Sequence, residues 1–211
     1  MKIGILGTGS VAIALGKGWA RENHQMLYGS RNPGSGGDRV YKVGGQADCG
    51  TLEEAVDFSD VVVLAVPYRV VPETVRAIGP AKFKGKTVID VTNVLTDKME
   101  MAVGFDSSGA EEIAKMLPGA KVVKAFNTVF ADNMSLGRFG ATKLAAFIAG
   151  DDAESKKAVS KLASDLGFEP IDAGPLKNAR YLEPMGMQVI QLGYVQKLGA
   201  GIALALLRKR P

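Results

Sequence analysis

The chain opens on IGILGTGSVA, residues 3–12, and this decapeptide restricts the fold more than any other stretch. An apolar run of strand length meets Gly7-Thr8-Gly9-Ser10-Val11-Ala12, a G-x-G-x-x-A spacing, and a helical pattern follows at once. Each small residue has a physical task in such a turn. Gly7 permits the sharp reversal out of the strand, and Gly9 keeps side-chain atoms away from backbone that a pyrophosphate must approach. Ala12 lets the helix lie close on the strand. The helix start offers N–H groups and partial positive charge to an anion. The spacing alone is weak evidence. Placed between a strand and a helix, it marks a dinucleotide site, with Gly7, Thr8, Gly9, Ser10 and Val11 expected along the phosphates.

The rest of the chain carries the matching rhythm. Strand-length apolar runs recur at Lys2–Leu6, Gln25–Gly29, Val61–Val66, Thr87–Val91, Lys121–Phe126, Ala145–Ala149 and Phe168–Asp172. They are apolar on both faces, as parallel strands covered by helices must be. Helical patterns fill Val11–Arg21, Leu52–Phe58, Val70–Ile78, Ala110–Leu117 and Ala153–Leu166. Alternation of this kind predicts a doubly wound, mostly parallel α/β sheet of Rossmann type with right-handed crossovers. The glycine-rich stretch 32–50 reads as loop with a short third strand. Residues 1–150 are expected to form the dinucleotide-binding domain. Residues 151–211 are expected to add an α/β extension and helices for the acceptor site and for dimerisation. The tail from Lys177 to Pro211 reads as helical, with Met185, Met187, Val189, Ile190 and Leu192 as core or dimer interface. Its apolar segment Gly199–Leu207 is far shorter than the roughly 20 residues of a membrane span.

Composition excludes several other classes. The chain has 211 residues, 46% hydrophobic and 23% charged, which suits a globular domain with a sizeable core. The single cysteine, Cys49, forms no internal disulfide framework and fits a reducing cytosol. The first residues read as a strand and not as a signal peptide, so a cytoplasmic location is expected. Net charge is +4, yet no aromatics interleave with the basic clusters at Lys82–Lys86 and Arg208–Arg210, and no nucleic-acid motif appears. No nucleic-acid or membrane partner is expected. The expected partners are a small-molecule hydride acceptor and a second copy of the chain.

The second strand then selects the cofactor. It ends at Gly29, where an adenosine ribose belongs, and continues as Ser30-Arg31-Asn32. An acidic residue there would accept bonds from the ribose hydroxyls and repel a 2′-phosphate. Arg31 reverses the sign, with a forked guanidinium for the phosphate and a plane that stacks on adenine. Ser30 adds a hydroxyl, and Asn32 or the N–H groups through Ser35 close the site. The expected cofactor is NADP(H). In an open α/β sheet, ligands lie beyond the carboxyl ends of the strands. Here those ends are Ala65-Val66-Pro67, Thr92-Asn93 and Phe126-Asn127-Thr128. The first offers apolar backbone along the cofactor. Asn93, Asn127 and Thr128 offer neutral polar groups for ribose or carboxamide.

An acid–base pair is missing from this set. The lone histidine, His24, sits in the turn before the second strand, on the wrong side of the sheet. None of the five tyrosines is followed by Lys four residues on, and no Cys/His/carboxylate cluster suggests a metal. Carbonyl reduction would need a proton donor such as Tyr68, Lys177 or Tyr181. A flavin or deazaflavin acceptor needs none: the protein then has only to stack two rings at hydride-transfer distance. Three readings stay open: a deazaflavin reductase, an NADPH-dependent reductase of another acceptor (flavin, quinone, ferric complex, imine or small carbonyl), and a non-enzymatic NADP-sensing module.

The glycine turn, GSRN (29–32), LAVPY (64–68), VVKAFNTVFADNM (122–134) and above all GDDAESKKAVSKLASDLGFEPIDAGPLKNARYLEPM (150–185) resemble the NADPH-dependent coenzyme F420 reductase family along nearly the whole chain. The resemblance implies a Rossmann domain with a small C-terminal part, dimeric, that moves a hydride between NADP and the deazaflavin ring of coenzyme F420. It assigns the phosphate turn to Thr8, Gly9, Ser10 and Val11, the 2′-phosphate to Ser30 and Arg31, and nicotinamide contacts to Val66, Asn93 and Ala131. No residue is expected to act as acid or base, and Asn127 and Thr128 are expected to position the rings. Asn127 stands where archaeal members tend to have His, and the glycine turn is one residue shorter than their G-G-T-G form. The cytosolic domains of six-transmembrane metalloreductases look similar too.

Overall fold

A computed structural model describes residues 1–209. Strand β1 (Lys2–Leu6) runs into helix α1 (Ser10–Ala20), then β2 (Gln25–Gly29), α2 (Pro33–Val40) and β3 (Gln46–Gly50). After α3 (Leu52–Phe58) come β4 (Val61–Leu64), α4 (Val71–Ile78) and β5 (Thr87–Asp90). The chain continues through α5 (Gly109–Met116), β6 (Lys121–Lys124) and the single turn α6 (Ala131–Met134). A small hairpin, β7 (Arg138–Phe139) and β8 (Thr142–Lys143), precedes β9 (Ala145–Gly150), α7 (Ala153–Asp165), β10 (Glu169–Asp172) and α8 (Ala179–Ile190).

Eight of these strands form one sheet in the order β10-β9-β6-β5-β4-β1-β2-β3. From β3 to β6 every pairing is parallel, the two-fold Rossmann order with its reversal between β1 and β4. Strand β9 runs antiparallel to β6, and β10 is parallel to β9. Residues after 150 therefore extend the same sheet before they build α8.

Alternation along the strands sorts side chains into two core layers. Ile3, Ile5, Val61, Val63 and Val123 face one layer with Leu15 and Trp19 of α1 and Val159 and Leu162 of α7. Leu6, Val62, Leu64 and Val122 face the other, with Val56, Val75 and Ile113 from α3, α4 and α5. Both sheet faces are thus covered, which accounts for the continuous apolar runs.

Two regions differ from the sequence expectation. Residues 33–40 form a helix, where a loop was expected: Pro33 opens it and the Asn32 side chain accepts from Ser35 N at 3.4 Å. The tail is helical only to Val195, where a π-helical turn (Gln191–Val195) ends. Lys197 and Gly199 then take positive φ values of 60° and 78° and break the helix. The segment beyond is irregular. Ala145 N donates to Leu204 O at 2.8 Å, and Ala200, Ile202 and Leu204 pack beside Phe130, Val189 and Ile190. Expectations for Arg210 and Pro211 lie outside the described residues.

Candidate functional site

The reversal between β1 and β4 opens a trench at the carboxyl ends of the strands. Its floor is the glycine turn, tied on both sides: Gly7 N donates to Gly29 O at 2.9 Å and Ala65 N to Leu6 O at 3.0 Å. Gly7 has φ +113°, and a Cβ there would stand 2.5 Å from the Ala65 carbonyl oxygen. Gly9 caps α1 with extended backbone, and no side chain bonds to the first turn of that helix. Its first N–H groups are left to a ligand or water. A Cβ on Gly9 would meet nothing within 4 Å, so it would project into the open trench.

Two clefts make up the trench and share Gly9, Ala65, Val66 and Pro67. The first, about 340 Å³, brings Gly7, Thr8 and Gly9 together with Gly29, Ser30, Arg31 and Asn32, and Leu52 and Val70 give it an apolar side. The second, about 310 Å³, runs past Ser10, Val11 and Val91 to Thr92 and Asn93. Most of the residues singled out in the sequence therefore converge on one groove. Within it, Ser30 and Asn32 also have local work. Ser30 Oγ accepts from Asn32 N at 3.1 Å and donates to Asn32 O at 3.0 Å. Asn32 is the cap of α2, so its side chain shapes the loop and leaves the outward contact to Arg31.

Asn127, Thr128 and Ala131 do not line the two clefts. Phe126, buried between Trp19 and Phe168 in edge-to-face contacts, takes φ 64° and turns the chain sharply after β6. Asn127 consequently lies beneath α8, 3% exposed, and its Nδ2 donates to Leu182 O at 2.7 Å. Its Oδ1 has no partner, and the same is true of Thr92 Oγ1. Thr128 is 1% exposed, and Ala131 packs against the core layer of α1. The Asn127 amide, expected to position the rings, is engaged instead by the backbone of α8.

Sequence reasoning missed the apparatus that holds α8 there. Lys124 is fully buried and donates to Asp90 Oδ2 and Thr92 O, each at 2.8 Å, with Glu183 Oε1 at 3.3 Å. Glu183, on α8, accepts from the first N–H groups of α5, Gly109 at 2.8 Å and Ala110 at 3.1 Å. Two carboxylates thus share one ammonium and a helix N-terminus, the arrangement that makes buried charge tolerable. Arg180 adds a forked pair with Glu111, both bonds 2.8 Å. A Cβ on Gly186 would lie 2.6 Å from Asn127 Nδ2 and 3.0 Å from Asn93 Oδ1, so only glycine lets α8 come this close to the Asn93 end of the trench.

Among the described residues no acid–base group lines the second cleft. Its nine lining residues include none that titrates. Burial, together with Glu183, Glu112 and Asp90, pushes the Tyr68 hydroxyl up to about 12. Lys177 is exposed and Tyr181 is 67% exposed, and neither lines the trench. His24 is 5% exposed at the amino end of β2, away from the trench, with Nε2 2.9 Å from Asp165 Oδ2. Among the described residues no His/Cys/Asp/Glu cluster suits a metal ion, and no helix is long and apolar enough to cross a membrane.

The sheet order and the groove across its reversal have the geometry of a Rossmann-type dinucleotide site. Residues 2–94 match the family described as NADP oxidoreductase, coenzyme F420-dependent, so this part of the chain is similar to that family. The whole fold superposes on a crystal structure from Arthrobacter sp. FB24, provisionally named an F420-dependent NADP-reductase. The TM-score is 0.90 at 26% identity, covering 99% of this chain and all of the other. Metalloreductase STEAP3 of Rattus norvegicus is 32% identical over 190 residues. That match covers 90% of this chain but only 37% of the rat protein, so the chain spans little more than a third of that relative. A reductive aminase from Aspergillus terreus shares the fold at 16% identity, with TM-score 0.68 over 93% of this chain and 62% of the other. The chain has a Rossmann-type sheet, and the proteins it is similar to include NADP-dependent oxidoreductases.

Proposed function

We propose that the chain transfers a hydride directly between NADP(H) and a deazaflavin of the coenzyme F420 type. The observation that carries this reading is the second cleft, which is rimmed by apolar and neutral groups and offers no proton donor. A deazaflavin accepts the hydride as such, so the protein's contribution is alignment and exclusion of water. The adenosine end of NADP lies at Ser30 and Arg31, and the pyrophosphate crosses Thr8 to Val11. The nicotinamide rests against Val66 and Asn93. The acceptor ring stacks on its open face below α8, and Asn127 acts at one remove by holding α8 in place. The family match and the Arthrobacter likeness support the same acceptor.

The 32% identity to a metalloreductase favours one further reading, in which electrons from NADPH pass to a flavin or ferric complex. Single-turnover mixing of 4-deuterated NADPH with a deazaflavin, a flavin, a quinone and a ferric complex separates the two. The deazaflavin should be reduced fastest, with a primary isotope effect for one face of C4 only. Reduction of the ferric complex or flavin alone would hand the function to the second reading. Collapse of the rate in Tyr68→Phe would show a general acid at work and remove the basis for both.

A further inference from the structure

A third cavity, about 190 Å³, lies between α1 and α2 on the outer side of the glycine turn. Lys17, Arg39 and Lys42 stand in its wall, and it shares Thr8 and Gly9 with the cleft that contains Arg31. Arg39 occupies the last turn of α2, and its Nη1 donates to the Thr8 carbonyl oxygen at 3.1 Å. That bond anchors the guanidinium at the rim of the turn while Nε and Nη2 keep their hydrogens for another acceptor. Among the described residues, the arginines paired with carboxylates are Arg69, Arg180 and Arg208. Arg31 and Arg39 thus bring unneutralised charge to two cavities that share Thr8 and Gly9, and among the described residues no carboxylate lines either one.

We propose that Arg39 is a second specificity-determining residue for the 2′-phosphate of NADP, meeting from the α2 side the group that Arg31 meets from the other. The inference rests on the NADP reading of the cleft and adds a residue to it. The charge count supports two arms: a phosphate monoester carries about −1.5 to −2 at neutral pH, more than one guanidinium neutralises. The position supports it as well. Arg39 follows Ser30–Asn32 on the β2 side of the turn, where the adenosine ribose belongs, whereas the pyrophosphate faces the N–H groups of α1. Lys17 and Lys42 add attraction without a fixed geometry.

Calorimetric titration of the full chain tests this with NADPH, NADH, adenosine 2′-monophosphate and adenosine 5′-monophosphate as probes. Arg39→Ala should weaken NADPH and the 2′-monophosphate roughly tenfold, the scale of one charge-assisted bond. NADH and the 5′-monophosphate should stay within about twofold of the unmutated protein, since they lack the group concerned. Arg31→Ala alone should keep part of the NADPH preference, and Arg31→Ala/Arg39→Ala should lose it. Arg39 is exposed, so the variant should unfold at an unchanged temperature, which thermal scans check. An equal loss for NADPH and NADH would place Arg39 on the pyrophosphate, and unchanged NADPH affinity would place it on nothing; either overturns the inference. Equal NADPH and NADH affinities in the unmutated protein would instead overturn the NADP reading itself.

Discussion

The two glycines of the turn are chemically identical and should fail in opposite ways. At Gly7 the obstacle is the protein itself. Its φ of +113° lies where side-chain-bearing residues are strained, and the new Cβ would sit 2.5 Å from backbone oxygen of Ala65 and 3.1 Å from Val66 Cγ1. Strain of this kind costs about 1–3 kcal/mol before the clash is relieved. For a chain of this size each kcal/mol lowers Tm by roughly 2–4 °C. Gly7→Ala is therefore expected to unfold about 5–10 °C early. At Gly9 the obstacle is the ligand. The backbone is ordinary (φ −76°, ψ −179°) and a Cβ has open space on every side. Gly9→Val should unfold within a degree or two of the parent. Its isopropyl group fills the place where the pyrophosphate must approach the α1 N–H groups. Losing two charge-assisted bonds there, at about 1.5–3 kcal/mol each, weakens NADPH by roughly a hundredfold or more. Thermal scans with and without NADPH measure both quantities together: Gly9→Val should lose the ligand-induced rise in Tm, and Gly7→Ala should start low. A Gly9→Val protein that binds NADPH normally would refute the location of the cofactor. A Gly7→Ala protein of unchanged Tm would refute the account of the turn.

Lys124→Met should be among the most damaging substitutions outside the trench. It strands Asp90 and Glu183 as buried carboxylates, at a cost of about 3–5 kcal/mol, read as a Tm loss of about 6–20 °C. His24→Ala should leave turnover unchanged and show itself in acid unfolding. Burial raises the Asp165 carboxyl, but bonds from Lys161 and His24 outweigh it and hold it below the usual range. The stability from Asp165 is present above its unfolded value near ~3.9 and is lost as pH falls through the lower folded value, so unfolding followed from pH 5 to 2 should shift upward in pH in the variant. Tyr194, Val195 and Leu198 are 58–61% exposed on the segment after α8, and we expect them to meet a second copy of the chain. Light scattering should report a dimer that Val195→Glu/Leu198→Glu converts to monomer; a parent protein monomeric at high concentration refutes this.

The central strands of the sheet were legible because they are buried on both faces, which leaves short apolar runs bounded by turn residues. Helix α2 was not, since Gly34, Gly36 and Gly37 dilute every helical signal and only Pro33 and the Asn32 cap mark its start. Losing α2 hid Arg39 and Lys42, whose position beside Thr8 depends on that helix existing. The part of the groove lined by Gly7–Gly9 and Gly29–Asn32 could be read from neighbours in sequence. The other part could not. Asn127 looks like a strand-end ligand until Leu182, fifty-five residues away, claims its amide. Glu183 and Lys124 show their relation only when α8 folds back over β5 and β6.

Phe126 gives the core an unexpected say in the chemistry. Its left-handed backbone is a conformation that bulky residues avoid, and it is sustained by the ring's hold between Trp19 and Phe168. Those two rings belong to α1 and to the chain just before β10, on the layer of the protein opposite α5. Trimming either one is expected to let the backbone at 126 relax toward its ordinary range and to carry Asn127 away from the Leu182 carbonyl, a shift that the structure of a Trp19→Leu or Phe168→Leu variant would show. On the proposed function, a substitution chosen as a plain packing change would then surface in kinetics as a misaligned acceptor. Directed evolution of new acceptors has a second address here: not the walls of the groove but two aromatic rings that never see it.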